Sequence, residues 1–156
     1  VPECTAFLQQ FEKISARYKF LVLDGPSCTG KTNFAKFLFG DDSNVLEVNC
    51  ANCPEPDLRS LDSLKHKGIL FDEASPKMVL SQKKLFQAPA CDVLLGASTT
   101  NCHAYSVFVS GIGLMIASNH WQAYFAALER DEDREWLSHN SFLVNVQKPL
   151  FISAST

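Results

Sequence analysis

The chain has 156 residues, enough for one domain with a full hydrophobic core. Its formal charge of −3, from 14 Lys and Arg against 17 Asp and Glu, argues against a broad nucleic-acid-binding face. No apolar run approaches the length of a membrane-spanning helix, so no membrane partner is expected. The amino end starts at Val1 with neither Met nor a secretory apolar segment, and it looks cut from a longer protein.

Taken in chain order, the first expected element is a helix over about Cys4–Ala16, with Phe7, Phe11 and Ile14 on one face, within an N-terminal segment 1–17 that leads into the core. A first core strand follows at about Lys19–Leu23. Immediately after it stands Gly25-Pro26-Ser27-Cys28-Thr29-Gly30-Lys31-Thr32, which satisfies G-x-x-x-x-G-K-[ST] at every fixed position, and then Asn33 and an apolar-periodic stretch. This is the strand, loop and helix context that a phosphate-binding loop requires. Its glycines let successive backbone N–H groups turn toward phosphate oxygens, and the helix beginning at about Lys31 adds the positive end of its dipole. Lys31 is placed to reach the β- and γ-phosphates, and the Thr32 hydroxyl to coordinate Mg²⁺. The motif therefore predicts ATP or another nucleoside triphosphate as ligand, with Mg²⁺.

The loop helix is expected to stop at Gly40, ahead of a second strand at Val45–Val48. Pro54 and Pro56 open a segment read as helical around Leu58–Leu64. Gly68-Ile69-Leu70-Phe71 reads as a buried parallel strand delivering Asp72 and Glu73 at its carboxyl end, where ligand sites of open α/β sheets gather. Asp72 would hold Mg²⁺ through water, and Glu73 would act as general base. A helix is expected around Val79–Phe86, ending before Pro89, then short strands at Val93–Leu95 and Tyr105–Val109. The run Leu114-Met115-Ile116-Ala117 ends in Ser118-Asn119. Asn119 is placed to orient a lytic water, while Ser118 and Asn119 also suit the cap of a helix over His120–Glu129. Asp131-Glu132-Asp133 reads as a solvated loop, and Phe142–Val146 as the last strand. Strands alternating with helices imply an α/β fold with a parallel sheet.

The loop with Asn33, the segment Val48-Asn49-Cys50-Ala51-Asn52, the acidic strand and the Ser-Asn strand, in this order, resemble the superfamily 3 helicases, and most of all the parvovirus-type Rep and non-structural replication initiators. The resemblance covers roughly residues 18–146. It implies a P-loop NTPase domain built as a three-layer αβα sandwich with a mainly parallel five-stranded central sheet, spanning 1–156 as one domain. It further implies ATP hydrolysis with Lys31, Asp72, Glu73 and Asn119 as catalytic residues, a homo-oligomeric ring such as a hexamer, action on DNA, and a nuclear site if the chain serves a DNA-virus-type initiator. Two departures stand out. The segment Cys91–Tyr105, where the family carries a pore-hairpin lysine or arginine, has neither, and only His103 there can gain positive charge. Before the last strand, where the family places an arginine that reaches a neighbour's ATP, the chain reads Ser138-His139-Asn140-Ser141; Arg130 and Arg134 lie upstream in a different register.

The six cysteines include a lone C-x-x-C, Cys50 to Cys53, whose spacing to further ligands does not make a zinc finger; they read as small packing residues, with Cys28 inside the loop open to oxidation. Two other classes fit parts of the sequence: a small-molecule kinase, which would need lid arginines that this chain lacks between Asp41 and Asn119 apart from Arg59, and an ATP-binding relic without motor activity. The departures give an expectation for DNA. Affinity on single strands should fall with salt at a slope equivalent to no more than about two phosphate contacts, at about −0.7 per contact, and strengthen as His103 protonates. Steep salt dependence at neutral pH, measured by titration, would reveal a basic surface that the sequence conceals.

Overall fold

The computed structural model describes residues 2–26, 30–51, 55–96 and 104–146. In chain order the elements are α1 (Pro2–Gln9), β1 (Phe20–Asp24), α2 (Lys31–Phe37), β2 (Val45–Asn49), β3 (Gly68–Asp72), α3 (Pro76–Ser81), α4 (Lys83–Phe86), β4 (Val93–Leu95), β5 (Tyr105–Val107), β6 (Gly113–Ser118), α5 (Trp121–Ala126), α6 (Asp131–His139) and β7 (Ser141–Asn145). Five strands pair in the order β2-β3-β6-β1-β7, every pair parallel. β4 and β5 form a separate antiparallel ribbon, with Val93 opposite Val107 and Leu95 opposite Tyr105.

Why these segments are central strands follows from burial on both faces. β1 and β6 are buried at every position and β3 at all but Asp72, and such strands are apolar throughout rather than alternating. Alternate residues serve two cores. Phe20, Val22, Ile69, Phe71, Leu114 and Ile116 face a layer holding Val79, Phe86, Trp121 and Leu137 from α3 to α6. Leu21, Leu23, Leu70, Met115 and Ala117 face the other, with Phe7 of α1 and Ala35 of α2. The result is an α/β three-layer sandwich with a five-stranded parallel sheet, as expected. The chain leaves β1 through the α2 layer and leaves β6 through the α5 layer. Their carboxyl ends therefore open into the kind of crevice where the connections diverge and ligands bind.

Several boundaries differ from those expected. The first helix ends at Gln9, and a 3₁₀ turn covers Gln10–Glu12, so Ile14 is fully exposed rather than part of the apolar face. The Gln10 side chain pairs with Lys19 on both its backbone groups, donating to the carbonyl at 2.7 Å and accepting from the N–H at 2.8 Å, which folds the chain back before a helix can reach Ala16. Phe11 then stacks on Tyr18, with ring centroids 5.1 Å apart. Residues 58–64 are turns, not a helix. The Asp57 carboxylate accepts the Arg59 N–H and the Asp62 carboxylate the Leu64 N–H, offering the backbone local partners in place of helical ones. The helix assigned to Val79–Phe86 begins earlier, where the Ser75 hydroxyl accepts the Met78 N–H ahead of Pro76, and it breaks at Gln82 into α3 and α4. Asp131–Asp133 is the first turn of α6 rather than a loop; its three acids sit at the positive end of the helix dipole, and Arg134 pairs with Asp131. The helix after β6 spans Trp121–Ala126 only.

The end of α2 is fastened by close approach. Gly40, at φ +89°, turns the chain so that the Phe39 ring lies over Gly68 and Gly113, which are partners in the β3–β6 register. A Cβ on Gly113 would come within 2.4 Å of that ring, and one on Gly68 within 2.8 Å. Gly113→Ala is therefore expected to destabilise the fold by about 1–3 kcal/mol. Chemical denaturation should also show that Phe39→Leu recovers part of the loss, since the two positions share one contact.

Candidate functional site

The phosphate-loop motif begins where β1 ends. Gly25 is held by its N–H to the Ser118 carbonyl at 3.1 Å, and a Cβ there would meet the Val146 carbonyl oxygen at 2.1 Å, so only glycine lets β1 and the chain after β7 approach this closely. Pro26 is exposed beside it, while Ser27, Cys28 and Thr29 lie outside the described residues. Gly30 takes φ +79°, a left-handed conformation that starts α2, and its carbonyl accepts the Phe34 N–H at 2.9 Å. Lys31 opens the helix, followed by Thr32, half-buried, and Asn33, exposed.

Lys31 is buried, at 7% exposure. Its ammonium donates to the Gly25 carbonyl at 2.9 Å, the Pro26 carbonyl at 2.6 Å and Asn119 Oδ1 at 3.0 Å. The lysine that opens α2 and the amide just past β6 thus meet in the crevice between β1 and β6, although 88 positions separate them. Asp72, at the end of β3, joins this pair by charge. Burial raises its carboxyl above the ordinary value, and the neighbouring Glu47 carboxylate adds to the effect; Lys31 and the Glu73 backbone N–H pull the other way without cancelling it. Glu47 of β2 is itself paired with Lys36 of α2 at 2.9 Å.

Glu73 is exposed and adopts φ +60°, a backbone state that is uncommon for a residue with a side chain. It is held there from both sides: the Asp72 carbonyl accepts the Cys50 N–H and the Ala117 carbonyl accepts the Glu73 N–H, each at 2.8 Å. Strain retained by a surrounding framework concentrates at functional sites. Direct hydrogen bonds thus bring Gly25, Pro26, Lys31 and Asn119 together, with Asp72 beside them, whereas the Glu73 and Asn33 side chains face solvent.

The sequence reading missed Asp24. It is 7% exposed, and its two carboxylate oxygens accept the N–H groups of Trp121 at 3.0 Å and Gln122 at 3.2 Å. The cap of α5 therefore comes mainly from β1, while Ser118 contributes only by accepting the His120 N–H at 3.2 Å. The available signal was an acid ending an otherwise apolar strand, because a buried carboxylate must find donors. Asp24, Gly25, Pro26, Asn119, His120, Gln122 and Asn145 line a cleft of about 560 Å³, within the size range of small-molecule sites. A cavity of similar size, about 580 Å³, lies between α3, α5 and α6, and none of the motif residues among those described lines it.

Cys50 is buried with its thiol on the Val48 carbonyl, whereas Cys53, Cys28 and His103 lie outside the described residues. Arg130 pairs with Glu132, and Arg134 donates to the Leu128 carbonyl and to Asp131.

The raised carboxyl of Asp72 gives a pH expectation. The folded protein holds this proton more tightly than the unfolded chain, so raising pH through the folded-state pKa costs stability. Asp72→Asn removes that cost. In metal-free buffer the variant should melt above the wild type at pH 7, with the difference closing as pH falls toward the ordinary value of 3.8. A lower melting temperature for the variant at pH 7 would show that the charge is already well compensated.

No protein-family model matches the chain, and no curated protein matches it. Among solved structures it is similar to one described as NtrX from Brucella abortus in complex with ATP, at a TM-score of 0.46 and 15% identity, covering 93% of this chain and 37% of that one. The chain thus spans well under half the length of that structure, and the functional reading rests on the chain's own residues.

Proposed function

We propose that this chain binds and hydrolyses ATP through its phosphate loop, and that it is a motor domain of the superfamily 3 helicase type, working in a homo-oligomeric ring. The observation that carries the reading is the contact between Lys31 and Asn119 at the carboxyl crevice of β1 and β6, with the Asp72 carboxylate beside it. A phosphate-binding cation, a neutral amide and an acid at one sheet edge are the parts that γ-phosphate hydrolysis needs.

In this reading Lys31 exchanges its carbonyl partners for phosphate oxygens and stabilises the charge that develops there. Asn119 orients a water molecule by hydrogen bonding without adding charge. The water oxygen attacks the γ-phosphorus, the bond to the oxygen bridging the β-phosphate breaks, and the water's proton passes to Glu73. Mg²⁺, when bound, neutralises phosphate charge. The hydroxyl of Thr32 and the carboxylate of Asp72 are hard oxygen donors suited to hold it. Asp72 fits that role because its ionised form is disfavoured by burial and by Glu47, a condition that a divalent cation relieves.

A second reading, an ATP-binding module without translocation, is favoured by two observations. The segment 91–105 carries no lysine or arginine, and Arg130 and Arg134 are engaged by acids of their own chain. ATPase assays with and without single-stranded DNA separate the readings: DNA-stimulated turnover supports the motor, and binding without turnover supports the module. Transfer of phosphate to a small acceptor would overturn both in favour of a kinase. Within the hydrolytic reading, Glu73→Gln should retain Mg-ATP while turnover falls by about 10²–10⁴-fold, whereas Lys31→Ala should lose binding itself. Normal turnover by Glu73→Gln would place the general base elsewhere.

A further inference from the structure

We propose that Asp24 is a positioning residue for Asn119, holding the amide of β6 in register with the phosphate loop; this rests on the reading of Asn119 as the group that orients water. Asn119 is bracketed by two consecutive residues of β1's end. On its amino side, the Ser118 carbonyl accepts the Gly25 N–H at 3.1 Å. On its carboxyl side, Trp121 and Gln122 donate their N–H groups to the two oxygens of Asp24, at 3.0 and 3.2 Å. The circuit is closed from within the loop, because Lys31 donates both to the Gly25 carbonyl and to Asn119 Oδ1.

A helix cap drawn from its own chain would satisfy α5's first N–H groups equally well. It would leave the β6–α5 junction free to shift against β1. Capping from β1 removes that freedom, and a carboxylate using both oxygens fixes the junction at two points where a hydroxyl would fix it at one. The Trp121 side chain, 2% exposed, holds the same junction down in the core, so Asp24 sets lateral register rather than burial. Geometry at this level matters to chemistry, since displacing a reacting group by an ångström can cost about a hundredfold in rate.

The test is Asp24→Asn, which keeps size and one acceptor oxygen but turns an N–H₂ toward one of the two N–H donors. Its expected effect is a fall in kcat of about ten- to a hundredfold, with the KM for ATP nearly unchanged. In an Asn119→Ala background the same change should cost little more, because the residue it positions is already gone. Should Asp24→Asn fail to fold, Asp24→Ser retains a single acceptor and should show the same pattern in milder form. A readout free of nucleotide is the pair of Asn119 side-chain amide resonances, assigned by their loss in Asn119→Ala; these should shift or broaden in the Asp24 variants while core methyl resonances stay in place. Equal loss of kcat in both backgrounds, or unmoved Asn119 resonances, would overturn the proposal. A wild type that hydrolyses no ATP would sink the hydrolytic reading, while the resonances would still decide whether Asp24 holds Asn119.

Discussion

An ammonium group taken almost entirely out of water has to be answered by oxygens, and most of this molecule's organisation at the sheet's carboxyl edge follows from how Lys31 is answered. Its partners include the loop's own backbone and the Asn119 side chain just past β6. That requirement ties β1 to β6 at their tips. An amide at the end of β6 answers the lysine with an oxygen and adds no charge, whereas an acid there would neutralise it outright. Asp72 sits close enough to feel Lys31, yet burial and Glu47 dominate its protonation, so the site combines one well-compensated cation with one poorly compensated anion.

The sheet supplies the rigidity that this arrangement needs. β6 lies between β1 and β3 and is buried at every position, so the amide and the acid are carried on adjacent strands that cannot rotate independently. Each central strand feeds two cores, one under α1 and α2 and one under α3 to α6. A change in one layer is therefore felt at the same strand tips as a change in the other.

What was legible in the sequence is what depends on local composition. β1, β3 and β6 announced themselves because strands buried on both faces are apolar without interruption, and the loop motif fixed where the first of them ends. Gly40 marked the turn just past the loop helix, which ends at Phe37 rather than running to the glycine, and its φ shows why the chain turns there. The errors arose where side chains compete with the backbone or where partners are distant. Asp57 and Asp62 turned an apparent helix at 58–64 into turns, and Asp131–Asp133, read as solvated loop, instead starts a helix because acids favour its first turn. The role of Asp24 was hidden because its donors lie 97 and 98 positions away, where no spacing rule reaches.

The ring of Phe39 on its two glycines has a consequence for how the loop can respond to a ligand. α2 is held at its far end by this contact and at its near end by Lys31, so it cannot slide along its axis without lifting an aromatic ring from the sheet. When the Lys31 ammonium turns to phosphate, the Phe39 ring still holds the far end of α2 on the sheet, and the helix stays in place. Little of the ligand's interaction energy goes into moving a helix, and the greater part remains to tighten the grip on phosphate, which is the thermodynamic meaning of preorganisation.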